Sequence, residues 1–243
     1  MNVRTAAIIP APDGGPELSR VLASLPHGHL REIVVVGSPG ADLPDTARRY
    51  GATAVEEGRR GYGRACLTGM VHLAPEPPDV VVFLRGDGTD DAEELPAVLS
   101  PLLSPGVDFV VGSRSRGEPD PGAYPGLVRL GHRIATRLIL LLYGYRFTDL
   151  GPFRAIRWQA LSQLGLSDPD YGWLAEMQVS AARARITTVE VPVSSRRPAG
   201  GGSRDTTLTG LFLAGVKVLL TVLRPRSADP PRIREPEAQA PTG

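Results

Sequence analysis

The sequence predicts an α/β fold, a mostly parallel sheet with helices on both faces. Three observations predict it. Between Thr5 and Gly112, short Val- and Ile-rich runs alternate with helical patterns, at the spacing of strand–helix–strand units. The 28 glycines and 24 prolines fall largely between those runs and punctuate them into loops. Of the 243 residues, 42% are hydrophobic, enough for one sizeable core.

The elements follow in order. Thr5–Ile9 reads as a buried strand and Pro16–Leu25 as a helix. Glu32–Val36 is a second strand, Leu43–Tyr50 a helix and Ala52–Val55 a short third strand. Tyr62–Leu73 is a helix entered through Gly61 and Gly63, and Val80–Leu84 is a fourth strand. Ala92–Leu103 is a helix whose positive N-terminus suits Asp90 and Asp91, and Val107–Gly112 is a fifth strand. The second half differs: helices at Gly126–Tyr145, Trp158–Leu164 and Tyr171–Ala184, a strand at Ile186–Val193, a Gly/Ser/Arg loop at Arg196–Thr206 and an apolar helix at Leu208–Leu223. Residues 1–223 read as one domain, and the Pro-rich, charged stretch 224–243 as a disordered tail.

Composition narrows the function. The net charge of +1 gives no global pull toward nucleic acid. A single cysteine, Cys66, fits a reducing compartment, and His27, His29, His72 and His132 lack zinc-site spacing. The N-terminal apolar run is broken by Pro10 and Pro12 before it reaches signal-peptide length. No apolar stretch reaches the roughly 18–20 residues of a membrane span.

Five stretches carry chemistry. The first is Phe83–Leu95, FLRGDGTDDAEEL, with four carboxylates between Asp87 and Glu93. Ligands of open α/β sheets sit beyond the carboxyl ends of strands, and Asp87 is at such an end. There a carboxylate can hold Mg²⁺ or Mn²⁺ against the phosphates of a nucleotide sugar; Asp90 and Asp91 read instead as the acidic first turn of the next helix. The second is Gly61-Tyr62-Gly63-Arg64, a glycine turn at a helix start that lets backbone approach a phosphate, or simply turns. The third is Gly112-Ser113-Arg114-Ser115-Arg116-Gly117, two arginines after a strand end, suited to phosphate or to a solvated loop. The fourth is LVRLGHRIATRLILLLYGY, where Arg129, Arg133 and Arg137 form one stripe and Leu130, Ile134, Leu138 and Leu141 another. Alone, this helix reads as a membrane-surface element or as an ordinary core-packed helix with a solvated face; with the apolar Leu208–Leu223 helix, the pair reads as an interfacial patch rather than a span. The fifth is Glu176 beside Trp173, a base or sugar contact, or a Glu paired with a nearby Arg. Arg196-Arg197 to Ser203-Arg204 is a basic segment able to close over phosphates.

Together GYGRACLTGM, GDGTDDAEELPAVL, VVGSRSRG, TDLGPFRAI, YGWLAEMQVSAARA and EVPVSSRRPAGGGSR, in this order and spacing, resemble family 2 glycosyltransferases of the GT-A (Rossmann-like) fold, over about residues 5–223. The nearest branch is that of the dolichyl- and polyprenyl-phosphate sugar transferases. The resemblance implies an inverting transfer from a UDP- or GDP-sugar to a lipid phosphate. It implies Asp87 as metal and donor ligand. The nucleotide-sugar contacts would be Pro10, Asp13, Gly61, Gly63, Arg64 and Thr89; the phosphate or acceptor contacts Arg114, Arg129, Arg133, Arg197, Ser203 and Arg204. C-terminal interfacial helices would hold the acceptor, placing the protein peripherally at the cytoplasmic face of the cell membrane. A homo-oligomer is left open.

Three departures fall on the nucleotide side. Arg85 stands where relatives carry the first member of a carboxylate–x–carboxylate pair. Pro10-Ala-Pro-Asp13-Gly14 lacks a Glu, and no carboxylate follows the second strand until Asp42. They motivate a second reading, a non-catalytic binding module that has lost donor and metal chemistry. A third, a nucleotidyltransferase, is weakened because Pro10–Gly15 lacks an arginine.

Overall fold

A computed structural model describes residues 3–197 and 219–223. Seven strands form one sheet in the order β3-β2-β1-β4-β6-β5-β7. They are β1 (Thr5–Pro10), β2 (Glu32–Gly37), β3 (Thr53–Glu56), β4 (Val80–Phe83), β5 (Phe109–Ser113), β6 (Arg154–Arg157) and β7 (Thr188–Pro192). All neighbours pair in parallel except β6, which runs antiparallel to both β4 and β5.

Both faces of this sheet are covered, as the unbroken apolar runs of its central strands require. Alternate residues sort to opposite cores: Ile8, Val34, Val36, Val81 and Phe83 on one side, Ala7, Ile9, Val35, Val80 and Val82 on the other. Helices α3 (Tyr62–Leu73), α5 (Gly126–Tyr143) and α7 (Gly172–Arg183) contribute to the first core; α1 (Pro16–Ser24), α2 (Leu43–Arg49) and α4 (Leu95–Leu99) contribute to the second. A further helix, α6 (Trp158–Ser162), follows β6.

The structure corrects several element boundaries. The expected helix Ala92–Leu103 is broken into 3₁₀ turns on either side of α4, because Pro96 and Pro101 each remove a backbone donor. The fifth strand begins at Phe109, and β6 has no counterpart in the sequence reading. The long helix stops at Tyr143, where Gly144 takes the left-handed conformation with φ 73°. Of the expected helix Leu208–Leu223, only 219–223 fall among the described residues, and these are helical. The expected tail, 224–243, lies outside them.

The chain runs β1 to β2 to β3 in one direction, then crosses back to place β4 on the other side of β1. That reversal opens a crevice at the carboxyl ends of β1 and β4. Pro10 and Gly86 meet there: Gly86 N–H donates to the Pro10 carbonyl at 2.9 Å.

Candidate active site

The loop after β4 is a closed hydrogen-bonded unit. Arg85 turns its side chain back onto Asp90. The Arg85 backbone N–H (2.9 Å) and Nε (3.2 Å) donate to Asp90 Oδ2, and Nη2 donates to Oδ1 at 2.9 Å. Asp90 is buried and taken up by Arg85, so of the two aspartates expected at the start of the next helix only Asp91 caps it, accepting from Glu93 N–H at 3.2 Å. Asp87 Oδ1 accepts from both the backbone N–H and the hydroxyl of Thr89, while Oδ2 faces Arg85 Nη1 at 3.9 Å. Burial works against the charge of Arg85, but Asp90 and then Asp87 outweigh it and hold its pKa above the ordinary arginine value.

A second cluster sits beyond the end of β5. Arg114 is buried, and its N–H (3.0 Å), Nε (2.8 Å) and Nη2 (3.0 Å) all donate to Asp149. The Tyr124 hydroxyl also donates to Asp149 at 2.7 Å, as does His132 Nδ1 at 2.7 Å. Burial tends to neutralise Asp149, but Arg114 and His132 outweigh it and hold the carboxyl well below the usual range. Burial keeps His132 below its ordinary pKa, so its neutral ring donates through Nδ1. Arg114 lies over the Tyr124 ring at 4.4 Å and Arg129 at 5.7 Å. Among the described residues, the fully buried Arg154 donates to the carbonyls of Gly151 and Leu174 and to no carboxylate, and burial brings its pKa down to about 10.

Gly61 and Gly63 have a structural reason to be glycine. A Cβ on either would overlap the backbone of Asp168–Pro169, where α3 meets the start of α7. Tyr62 is stacked parallel to Tyr171, ring centroids 6.5 Å apart, and packs edge-on against Trp173. The buried Tyr62 hydroxyl, Arg64 Nε and Trp173 Nε1 have no hydrogen-bond partner among the described residues. Glu176 binds its own surroundings: it accepts from Ser167 N–H (3.0 Å), Ser167 Oγ (3.1 Å) and Asp168 N–H (2.8 Å). Asp13 is exposed, 3.4 Å from Arg60. Glu57, unmarked in the sequence, has its N–H on the Gly37 carbonyl at the end of β2 and its carboxylate on Thr68. A carboxylate thus does stand near that strand end, supplied by the next strand.

The segment after β7 crosses this edge and ties it together. Ser194 N–H and Oγ donate to Glu94, each at 2.8 Å; Arg196 N–H donates to the Thr89 carbonyl at 2.9 Å, and its guanidinium pairs with Asp91. Arg197 donates to Asp120 and to the Pro121 carbonyl. Ser203 and Arg204 lie outside the described residues. On α5, Arg133 is exposed beside Leu130, Ile134 and Leu141, all exposed.

The side chains at the β4 edge do not fit the divalent metal that the resemblance implied. Asp90 and Asp91 are taken up by Arg85 and Arg196, Asp149 by Arg114, and one oxygen of Asp87 by Thr89. At the strand end itself Asp87 keeps one oxygen, and it faces the Arg85 guanidinium. Among the described residues no group of three or more His, Cys, Asp or Glu is placed to hold a metal ion.

No family model matches this chain. It is 33% identical over 198 residues to an uncharacterized glycosyltransferase of Mycobacterium bovis, covering 81% of this chain and 87% of that one. It is 32% identical over 175 residues to a dolichyl-phosphate hexose transferase of Haloferax volcanii, covering 72% and 74%. In fold it is similar to glucosyl-3-phosphoglycerate synthase from Mycobacterium tuberculosis, solved in complex with Mn²⁺ and UDP-glucose, with a TM-score of 0.69 at 20% identity over 90% of this chain and 79% of that one. The seven-stranded, mostly parallel sheet and its sequence relatives together make this chain an enzyme of the glycosyltransferases with the GT-A fold.

Proposed function

We propose that the enzyme transfers a sugar, with inversion, from a UDP- or GDP-sugar to a polyprenyl or dolichyl phosphate at the cytoplasmic face of a membrane. One observation carries this reading: α5 joins an exposed apolar surface to the arginine cluster of the site. Its His132 and Arg129 reach Asp149 and Tyr124, while Leu127, Leu130, Ile134, Leu140, Leu141 and Leu142 of the same helix are exposed. Such a helix can lie in a bilayer interface with its arginines on anionic head groups. The described part of the last segment adds exposed Leu220 and Leu223, held to α5 by the Tyr143 hydroxyl on the Val222 carbonyl at 2.8 Å. Among the described residues no helix is long and apolar enough to cross a membrane.

In this reading the donor sits in the crevice at Pro10, Asp87 and Thr89, with Gly61–Arg64 at its side. The acceptor phosphate approaches from α5, past Arg129 and Arg133, with Arg197 beside it; Ser203 and Arg204 are proposed as further acceptor contacts from the sequence alone. Arg114 serves from within, fixing Tyr124 and His132. A phosphate acceptor is already an anion, so its attack needs no strong base. The relative from Haloferax volcanii, named for a dolichyl-phosphate acceptor, supports the lipid assignment. The test is incubation of the purified protein with labelled UDP- and GDP-sugars and polyprenyl phosphate in detergent. Label in the organic phase is the expected result; none with any donor would leave the non-catalytic module in its place.

A further inference from the structure

We propose that Arg85 takes the place of a divalent metal in donor binding: its guanidinium contacts the diphosphate, and the nucleotide sugar binds with no metal ion. The inference rests on the glycosyl-transfer reading above and specifies how its donor is held.

Four observations carry it. First, Asp90 is engaged by Arg85, Asp91 by Arg196 and one oxygen of Asp87 by Thr89, and among the described residues no three His, Cys, Asp or Glu are placed to hold a metal ion. Second, the other oxygen of Asp87 lies 3.9 Å from Arg85 Nη1, so an incoming divalent ion meets a like charge where it would bind. Third, Arg85 is built to stay charged and in place. Its Nε and Nη2 are anchored on Asp90, and the same pairing holds its pKa above the ordinary value. Its side chain keeps 25% of its surface exposed, and Nη1 hydrogen-bonds no described residue. Fourth, a further buried cation has no carboxylate of its own: among the described residues Arg154 donates to the carbonyls of Gly151 and Leu174 and lies over the Phe109 and Trp173 rings. A buried arginine without a hydrogen-bonded carboxylate favours a nearby anion over a nearby cation.

The chemistry balances without a metal. The bond from the sugar C1 to the donor's β-phosphate oxygen breaks, and a bond from C1 to an acceptor phosphate oxygen forms. The nucleoside diphosphate leaves with the electron pair. A preorganised guanidinium meets that charge through charge-assisted hydrogen bonds. Asp87, beside Nη1, then positions Arg85 and the sugar rather than ligating an ion.

The test is calorimetric titration of the full-length protein with UDP and with GDP, in EDTA and then in millimolar Mn²⁺. One nucleotide is expected to bind in EDTA with a Kd within about twofold of that in Mn²⁺. Arg85→Met is expected to weaken that binding at least tenfold. Because Arg85→Met strands Asp90, the double variant Arg85→Met/Asp90→Asn, which removes both charges, serves as the folded control and is expected to lose the same affinity. Binding that requires Mn²⁺, or undiminished binding by the double variant in EDTA, overturns the inference and leaves the glycosyl-transfer reading standing. No binding of either nucleotide under any condition overturns both.

Discussion

Arg114 reaches across 35 residues of sequence to place three N–H groups on the two oxygens of Asp149. The pair fastens the end of β5 to the loop that leads into β6. Asp149 also gathers Tyr124, His132 and the Leu150 N–H, so α5 is held to the sheet at the same point. A buried carboxylate with this many donors sets the geometry of the whole edge.

Asp149→Asn should therefore destabilise strongly. It leaves the buried Arg114 guanidinium without its counter-charge, a loss of about 3–5 kcal/mol. Urea denaturation followed by tryptophan fluorescence measures it. A change below about 1 kcal/mol would mean that water reaches Arg114 and the pair is not the anchor described.

The same cluster sets a pH dependence. The folded pKa of Asp149 is depressed, so its stabilisation is complete above the unfolded value of about 4 and is lost as pH falls below it. The folded pKa of His132 is also depressed, by burial, so the unfolded state takes up its proton first as pH falls through about 6.5. Both effects have one sign: stability declines on acidification, first gently from about pH 6.5, then steeply from about pH 4. His132→Gln should remove the first decline and keep the second, read from denaturation midpoints between pH 7 and 5.

The sheet was legible in the sequence because its central strands are continuous apolar runs, such as Ala6–Ile9 and Val80–Phe83, between glycine and proline breaks. β6 was not, because Arg154-Ala-Ile-Arg157 is short and begins and ends in charge. Arg154 is tolerated in the interior because carbonyls from Gly151 and Leu174 and the ring faces of Phe109 and Trp173 reach it, which is a tertiary fact. The site divides the same way. Asp87 and Arg85 could be marked from their place at a strand end. That Asp90 answers Arg85, and that Asp149 and His132 answer Arg114, depends on which side chains the fold brings together. The one signal in the sequence is TDLGPFRAI itself, which carries Asp149 but says nothing of its pairing with Arg114.

Two glycines of similar sequence setting should respond oppositely to alanine. Gly63→Ala drives a Cβ into the backbone of Asp168 and Asp170 and the Trp173 side chain, so it should destabilise by about 2 kcal/mol or more. Gly131, within α5, has nothing within 4 Å of its would-be Cβ. Gly131→Ala should stabilise by about 0.5–1 kcal/mol through helix propensity. Thermal melts of the two variants decide it; equal effects would contradict the packing of α3 on the α7 entrance.

Glu176 offers a direct choice between support and chemistry. Its carboxylate accepts from three donors of Ser167 and Asp168. Glu176→Ala should lower stability by about 1–2 kcal/mol, with Glu176→Gln restoring part of it through its carbonyl oxygen. Turnover by Glu176→Gln should stay within a few-fold of wild type. A hundredfold loss of kcat at unchanged Tm would make Glu176 a group that touches the reacting sugar.

The α5 surface makes the membrane reading testable apart from catalysis. Leu141 is 79% exposed, and Leu130 and Ile134 are exposed on the same helix, beside the arginine stripe. Exposed apolar side chains gain from entering a bilayer interface, and each arginine near an anionic surface adds about 1 kcal/mol, roughly fivefold in partitioning. The protein should therefore sediment with vesicles containing anionic lipid, and salt should weaken the binding as it screens the arginines. Leu141→Glu should reduce sedimentation at every salt concentration, and Arg133→Gln mainly at low salt. Both positions are exposed, so neither variant should shift stability by more than about 0.5 kcal/mol. If Leu141→Glu sediments like wild type, the apolar face of α5 is not what meets the lipid, and the acceptor must reach the site by another edge.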